Sequence, residues 1–242
     1  MRIELTIPCH NEAHRLVAGF TELAVWLHGH QQYDFSLVLA DNGSSDGTLE
    51  IARRLAEESP VPCRVRRLDT AGLALALRDS WDSSSADIVG YCDTDMATDL
   101  DHLEDVIAAF ADSRVVAVNG SRWLPASHVY NRKSRLRRLL SWGLRASIRL
   151  MSGIRATDIA CGFKFFRREW YAAHQARLFS RQFFLGGELL SYAEREYPGT
   201  GVVEIPVRWH DQPGSRVNLK RAVWAYWKGV AKLHLARFRH KG

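Results

Sequence analysis

The chain has 242 residues, 46% hydrophobic and 25% charged, a globular composition with enough apolar material for one large domain. No apolar run reaches the eighteen residues that a membrane-spanning helix needs, and the opening MRIELTIPCHNE enters a strand pattern at once without a secretory leader. The net charge of +6 hides an asymmetry, because residues 1–112 carry 20 acids and 8 bases whereas residues 113–242 carry 7 acids and 25 bases, so the second half is expected to face something anionic.

In chain order, Ile3–Cys9 reads as a strand and Glu12 to His28 as an amphipathic helix. Phe35–Asp41 is a second strand, and Ser45-Asp46-Gly47-Thr48 caps a helix with Leu49, Ile51, Ala52, Leu55 and Ala56 at helical spacing. Cys63–Leu68, Ala86–Cys92 and Val115–Asn119 are further strands, with helices at Gly72–Trp81 and Asp99–Phe110. The second half is less regular. Ser134–Ser152 reads as a basic amphipathic helix, Gly162–Arg167 as a strand, Gly187–Glu196 as a helix, and Val202–Trp209 as a strand before the turn Gln212-Pro213-Gly214-Ser215. Leu219–Phe238 is a closing helix. Strand–helix alternation predicts an α/β fold with a mainly parallel sheet between helices, and such sheets bind ligands at the carboxyl ends of their strands. The four cysteines, Cys9, Cys63, Cys92 and Cys161, have no metal-ligand spacing and read as reduced thiols of a cytoplasmic protein.

Asp93-Thr94-Asp95 follows the apolar run Ile88–Cys92, so two carboxylates arrive at a strand end, and strand alternation predicts that both point to one side. Carboxylates so close repel unless a cation lies between them, and hard divalent ions such as Mg²⁺ or Mn²⁺ take carboxylate and phosphate ligands. Three other segments end strands: Ile7-Pro8-Cys9-His10-Asn11-Glu12, Asp41-Asn42-Gly43-Ser44-Ser45-Asp46-Gly47-Thr48 and Gly120-Ser121-Arg122. Asp41 is placed either to accept hydrogen bonds from a ligand or to cap a helix. Gly43 frees the backbone for a tight turn. Arg122 lies in a stretch without acids from 113 to 157, followed by Arg132, Lys133 and Arg135, and a guanidinium fork matches a phosphate.

The order and spacing of these four segments resemble the inverting family 2 glycosyltransferases, which have the GT-A fold. Asp158-Ile159-Ala160-Cys161-Gly162-Phe163-Lys164-Phe165-Phe166-Arg167-Arg168 is similar to the D-x-x-C-G-F-K-x-F-x-R stretch of dolichyl-phosphate glucosyltransferases. Val207-Arg208-Trp209-His210-Asp211-Gln212-Pro213-Gly214-Ser215-Arg216 resembles their V-x-W-x-x-x-x-G-S-K segment, with Arg in place of Lys, and Asn11-Glu12-Ala13-His14-Arg15-Leu16 their N-E-x-x-R-L start. Dolichyl-phosphate mannosyltransferases are the neighbouring group.

The resemblance implies a single GT-A domain, with a nucleotide-sugar half over 1–122, an acceptor half over 123–216 and a basic amphipathic helix over 217–242. It implies metal-dependent inverting transfer of a hexose, glucose favoured, from a nucleotide diphosphate sugar (a UDP-sugar favoured) to a polyprenyl phosphate. Asp93 and Asp95 would hold Mg²⁺ or Mn²⁺. Pro8, Asn11, Glu12, Asp41, Gly43, Arg78, Lys164 and Arg216 would meet the donor, and Arg122, Arg132 and Lys133 the acceptor phosphate. Lys164 and Arg216 suit either diphosphate or acceptor phosphate.

Many hydroxyl-directed members carry an Asp after a Glu as general base, but here Gly187-Glu188-Leu189-Leu190 has Leu189 at the Asp position. A phosphate is already anionic and needs no base. Glu188 is left as a base for a hydroxyl acceptor, the alternative reading, or as an orienter of Arg and Lys. Asn42 replaces a second Asp, Ala71-Gly72-Leu73-Ala74 is glycine-poor, and His210 is either a third metal ligand or a surface residue. A nucleotidyltransferase lacks support because no Gly-rich, Arg-containing loop follows the first strand, and nucleic-acid binding because no basic-aromatic motif occurs. The closing helix, with Trp227 and Val230 among Lys228 and Lys232, suits either packing on the domain or contact with an anionic membrane surface. The expected location is therefore cytoplasmic, peripheral at the inner face of the membrane.

Overall fold

The computed structural model describes residues 1–130, 154–210 and 219–239, the last with side chains over 224–235. In chain order they form β1 (Arg2–Cys9), α1 (Leu16–Gly29), β2 (Asp34–Asn42), α2 (Thr48–Glu57), β3 (Cys63–Leu68), α3 (Leu73–Asp82), β4 (Ile88–Cys92), α4 (His102–Ala109) and β5 (Ala117–Ser121). There follow β6 (His128–Tyr130), β7 (Phe163–Arg167), α5 (Arg168–His174), a 3₁₀ turn (Gln175–Arg177), α6 (Leu185–Glu196), β8 (Val202–Pro206), β9 (Arg208–His210) and α7 (Leu219–Arg239).

Seven strands form one sheet in the order β3-β2-β1-β4-β7-β5-β8. All neighbours are parallel except β7, which runs antiparallel to β4 and β5. The expected α/β sheet is present. Strand alternation sends Phe165 to one face and Phe166 to the other. Phe165 joins Phe163, Leu23, Leu27, Leu103 and Val106 beneath α1, α2 and α4. Phe166 joins Trp81, Tyr171, Leu189, Leu190, Tyr226 and Val230 beneath α3, α5, α6 and α7. The Phe165 ring lies flat on Gly90, where any Cβ would collide with it.

Several boundaries differ from the sequence reading. The first helix starts at Leu16, not Glu12, because residues 10–15 form a turn in which the Glu12 carbonyl accepts from the amides of Arg15 and Leu16. The run 202–209 is two strands. Pro206 has no N–H to continue the ladder, so β8 ends there and β9 leaves to pair with β6 in a small second sheet. Neither β6 nor α5 was legible: β6 has three residues, and α5 follows β7 with no loop between them. The predicted helix over 134–152 and the turn at 212–215 lie outside the described residues. No helix among the described residues is long and apolar enough to cross a membrane. All four cysteines are free.

Candidate active site

The carboxyl ends of β1, β2, β4 and β5 meet at one edge of the sheet, and short polar contacts bind them together. Thr94 Oγ1 donates to the Pro8 carbonyl at 3.0 Å, linking the β4 end to β1. His10 Nδ1 donates to the Asn42 carbonyl at 2.8 Å, linking β1 to β2. Asn11 adopts a left-handed conformation, φ 56°, in which its amide donates to Ser44 Oγ at 3.0 Å while its Oδ1 accepts from the Ser45 amide at 2.9 Å. The Glu12 amide donates to Thr48 Oγ1 at 2.9 Å. Pro8, Asn11 and Glu12 are thus tied to the neighbouring strand ends through their backbones, Asn11 through its side chain as well.

Asp41 ends β2, 1% exposed, and neither carboxylate oxygen has a hydrogen-bond donor. The helix-cap reading fails, because α2 starts at Thr48 and Asp46 Oδ1 takes the Thr48 amide at 3.0 Å. A buried carboxylate without donors is costly, so this one is suited to a ligand that brings N–H groups. Beside it Gly43 stands at φ 69°, where an added Cβ would come 3.2 Å from the Ala71 amide nitrogen. Asn42, where a second Asp was expected, accepts from the Gly72 amide through Oδ1 and fixes the start of α3.

Asp93 and Asp95 are placed by a turn and not by strand alternation. Strand β4 stops at Cys92, the Met96 amide donates to the Asp93 carbonyl at 3.1 Å, and Met96 itself is left-handed at φ 44°. Such strain persists only where neighbours enforce it. Gly19 of α1 lies directly on the Thr94 carbonyl, and Gly162 lies directly on the Asp93 carboxylate; a Cβ at either would collide. Asp93 opens to the cleft while protein crowds the rest of it, and that loss of water, followed by the Asp95 charge, lifts its carboxyl to about 6. Asp95 is raised by burial, against the pull of Arg15, whose Nη1 lies 3.5 Å from Oδ2. Arg15 is in turn held by Glu12, with Nη2 2.7 Å from Oε1. Two adjacent, proton-attracting carboxylates facing a cleft are the donor set a hard divalent cation takes, so these residues fit one. No group of three such ligands occurs among the described residues. His210 is an exposed residue whose ring stacks on Tyr130 at 4.6 Å, as the surface reading expected.

Four expectations need correction or refinement. Glu188 is 0% exposed and its oxygens accept from the amides of Phe179 and Ser180, both at 3.0 Å, and from Tyr192 Oη at 3.1 Å. It organises the 179–180 loop, and among the described residues its hydrogen-bond partners are these amides and the Tyr192 hydroxyl, not an Arg or Lys. Arg78 is engaged within the protein: its guanidinium donates to the carbonyls of Leu178 at 3.2 Å and Gln175 at 3.3 Å, tying α3 to the 3₁₀ turn. Lys164 is 0% exposed, with its ammonium on the Cys161 carbonyl, and burial pushes its pKa down. It braces the Cys161-Gly162 turn under Asp93 and is closed off from solvent. Arg122 is at the edge as expected, but its Nε and Nη2 grip Asp158 at 2.7 and 3.0 Å and its guanidinium lies over the Trp209 ring at 5.1 Å. Arg132, Lys133 and Arg216 lie outside the described residues. Sequence reasoning passed over Arg15 and Asp158, although both stand in the quoted motifs, and Glu204, a lone acid in an apolar strand run.

The model of the family described as glycosyl transferase family 2 matches residues 5–174. Glycosyltransferase AglD of Haloferax volcanii is 31% identical over 224 residues, which span 92% of this chain and 35% of that protein. Dolichyl-phosphate beta-glucosyltransferase ALG5A of Trichomonas vaginalis is 26% identical over 90% of this chain and 68% of its own length. The chain thus spans about a third of the first relative and about two thirds of the second. Among solved structures, glucosyl-3-phosphoglycerate synthase from Mycobacterium tuberculosis, in complex with Mn²⁺ and UDP-glucose, superimposes with a TM-score of 0.64 at 16% identity, over 96% of this chain and 77% of that one. That likeness is one of fold, the GT-A sheet expected from the sequence.

Proposed function

The chain belongs to glycosyl transferase family 2, and from that premise we propose that it moves a hexose, with inversion, from a nucleotide diphosphate sugar to a polyprenyl phosphate. The observation that carries the choice of acceptor is Glu188. The residue expected to activate a hydroxyl is sealed in the interior with both oxygens filled, and a phosphate, already anionic, needs no base. The names of the dolichyl-phosphate beta-glucosyltransferase relatives favour the same acceptor and glucose as the sugar; a UDP-linked donor belongs to the same proposal.

In this reading Asp41 accepts from the N–H groups of the base, replacing the donors it lacks in the protein. Asp93 and Asp95 would hold Mg²⁺ or Mn²⁺, which when bound would neutralise charge on the departing nucleotide diphosphate. The Glu12–Arg15 pair fixes Asp95 from behind. Arg122, locked by Asp158, presents its remaining fork edge to the acceptor phosphate, helped by Arg132 and Lys133, with Arg216 serving either the donor diphosphate or the acceptor phosphate. The phosphate oxygen attacks the anomeric carbon from the side opposite the leaving group, so an α-linked donor yields a β-linked lipid phosphate sugar. The division into a donor half, 1–122, and an acceptor half, 123–216, belongs to the same proposal.

A thermal-shift panel of UDP- and GDP-sugars with each metal tests the donor. UDP-glucose at 100 times its Kd is expected to add about 2.7 kcal/mol, a shift of roughly 5–10 °C for a domain of this size. No shift with any nucleotide sugar would overturn the reading. Asp41→Ala is expected to weaken UDP-sugar binding about 10- to 100-fold while leaving the ligand-free midpoint unchanged or higher, since it removes a carboxylate buried without donors.

A lipid acceptor requires contact with a membrane, and the surface we assign to it is the outer face of α7. Tyr226, Val230 and Leu233 pack inward, so that part of the apolar stripe read from the sequence is spent on the core. The outward face carries Trp224, 62% exposed, Leu235, 63% exposed, and Lys228 and Lys232 between them. Apolar side chains among lysines suit an anionic lipid surface at the inner face of a cytoplasmic membrane. The protein is expected to sediment with phosphatidylglycerol vesicles at low salt and to be released by Lys228→Glu with Lys232→Glu; binding to neutral vesicles alone would contradict this.

A further inference from the structure

Glu204 takes no part in the chemistry above, yet among the described residues it is the most heavily hydrogen-bonded carboxylate near the edge. It stands on β8 opposite Asn119 of β5. Its oxygens accept from the Thr157 amide at 2.8 and 2.9 Å, from Thr157 Oγ1 at 3.2 Å, from the Asp158 amide at 3.4 Å and from Asn119 Nδ2 at 2.7 Å. Asn119 Nδ2 also donates to the Asp158 carbonyl at 3.2 Å, and Thr157 Oγ1 meets Ser121 Oγ at 2.5 Å. One residue further along, the Asp158 carboxylate takes the Arg122 backbone amide at 3.2 Å together with its guanidinium.

We infer that Glu204 is a positioning residue for Arg122: its carboxylate builds the 157–158 turn that delivers Asp158 to the guanidinium, and so sets where Arg122 stands over Trp209 beside the aspartate pair. An ionised carboxylate accepts at every position, which is what a turn presenting only N–H and O–H groups requires. A glutamine of the same shape would direct an NH₂ group at those donors, so its effect is one of hydrogen-bond polarity and not of volume. Glu194 does the same for the preceding two residues, accepting from the amides of Arg155 at 2.6 Å and Ala156 at 2.7 Å. Residues 155–158 are therefore held by two carboxylates in series, and only the second leads to Arg122.

The kinetic form of the test rests on the proposed function; the spectroscopic form does not. With UDP-glucose, Mn²⁺ and a polyprenyl phosphate in micelles, Glu204→Gln is expected to raise the acceptor KM about tenfold and to leave the donor KM within twofold. Made on Arg122→Ala, the same substitution is expected to change neither by more than twofold, because its effect passes through the arginine. An equal, additive effect in both backgrounds would overturn the inference, as would an unchanged acceptor KM in E204Q when Arg122→Ala alone raises it. If Arg122→Ala leaves the acceptor KM untouched, the acceptor role of Arg122 fails, and Glu204→Gln must then reproduce whichever parameter Arg122→Ala does alter. Independently of turnover, Glu204→Gln and Arg122→Ala should both change Trp209 emission, each difference vanishing on Trp209→Phe; wild-type emission in E204Q would contradict the inference. Should E204Q fail to fold, Thr157→Val, which removes only the hydroxyl contacts, is expected to give a smaller change, about threefold, of the same kind, again absent on Arg122→Ala; additivity there overturns it equally.

Discussion

Asp95→Ala is expected to lower hexose transfer by about 10³-fold or more while the fold stays intact. The carboxylate faces the cleft beside Asp93, and burial raises its pKa even against the neighbouring Arg15. That environment favours a group which binds something positive when substrate arrives. Removing it takes away half of a two-carboxylate donor set, and losing a group that stabilises leaving-group charge typically costs about 10²–10³-fold in turnover even where only one hydrogen-bond donor is lost. The fold has little to lose. Arg15 keeps its pairing with Glu12, and the hydrogen bond from the Ala97 amide to Asp95 Oδ1, at 3.3 Å, is a long one. Turnover rates and unfolding midpoints measured together decide the matter. Normal turnover refutes the metal role, and a collapsed midpoint assigns the residue to structure instead.

Asp158→Ala is expected to destabilise the protein by about 3–5 kcal/mol, because it leaves the enclosed Arg122 charge without its counter-ion. Asp158 is buried and takes three donations from one residue. Burial alone would raise its pKa, but the Arg122 guanidinium outweighs that and holds the carboxyl below its ordinary 3.8. The sign for stability follows. The unfolded chain takes up this proton first as pH falls, so the pair's contribution is full above about pH 4 and is lost as pH drops through the lower folded value. Urea unfolding of the wild type should therefore lose stability below about pH 4, and Asp158→Asn, which cannot ionise, should lack that component. Equal acid sensitivity in both proteins would place the ion pair outside the stability account.

Local pattern was enough for much of the frame. The alternating runs at Ile3–Cys9 and Phe35–Asp41, and the apolar run before Asp93, are strands in one mainly parallel sheet. Because such a sheet gathers its strand ends, Asp41, Asp93, Asp95 and Arg122 were recognisable before their contacts were known. What stayed hidden depends on partners far away in the chain. A five-residue strand run such as Phe163–Arg167 does not reveal its direction, so the antiparallel place of β7 between β4 and β5 could not be read. Nor does a side chain announce who takes its hydrogen bonds. Arg78 spends its donors on carbonyls 97 and 100 residues away, and Arg122 meets Asp158 36 residues on. Lys164 looked like a phosphate ligand because of its motif. In a strand covered on both faces, its side chain is buried whichever way it points. Glu188 was placed correctly on a helix, but its role was fixed by the amides of a loop that the sequence did not define.

The account is tested most directly by incubating the protein with Mn²⁺, UDP-[¹⁴C]glucose and a polyprenyl phosphate, then partitioning the mixture between water and organic solvent. The predicted result is metal-dependent, acid-labile label in the organic phase, absent when the lipid carries no phosphate. Label that remains in the aqueous phase with every nucleotide sugar, or moves instead onto the hydroxyl of a soluble acceptor, would contradict the assignment.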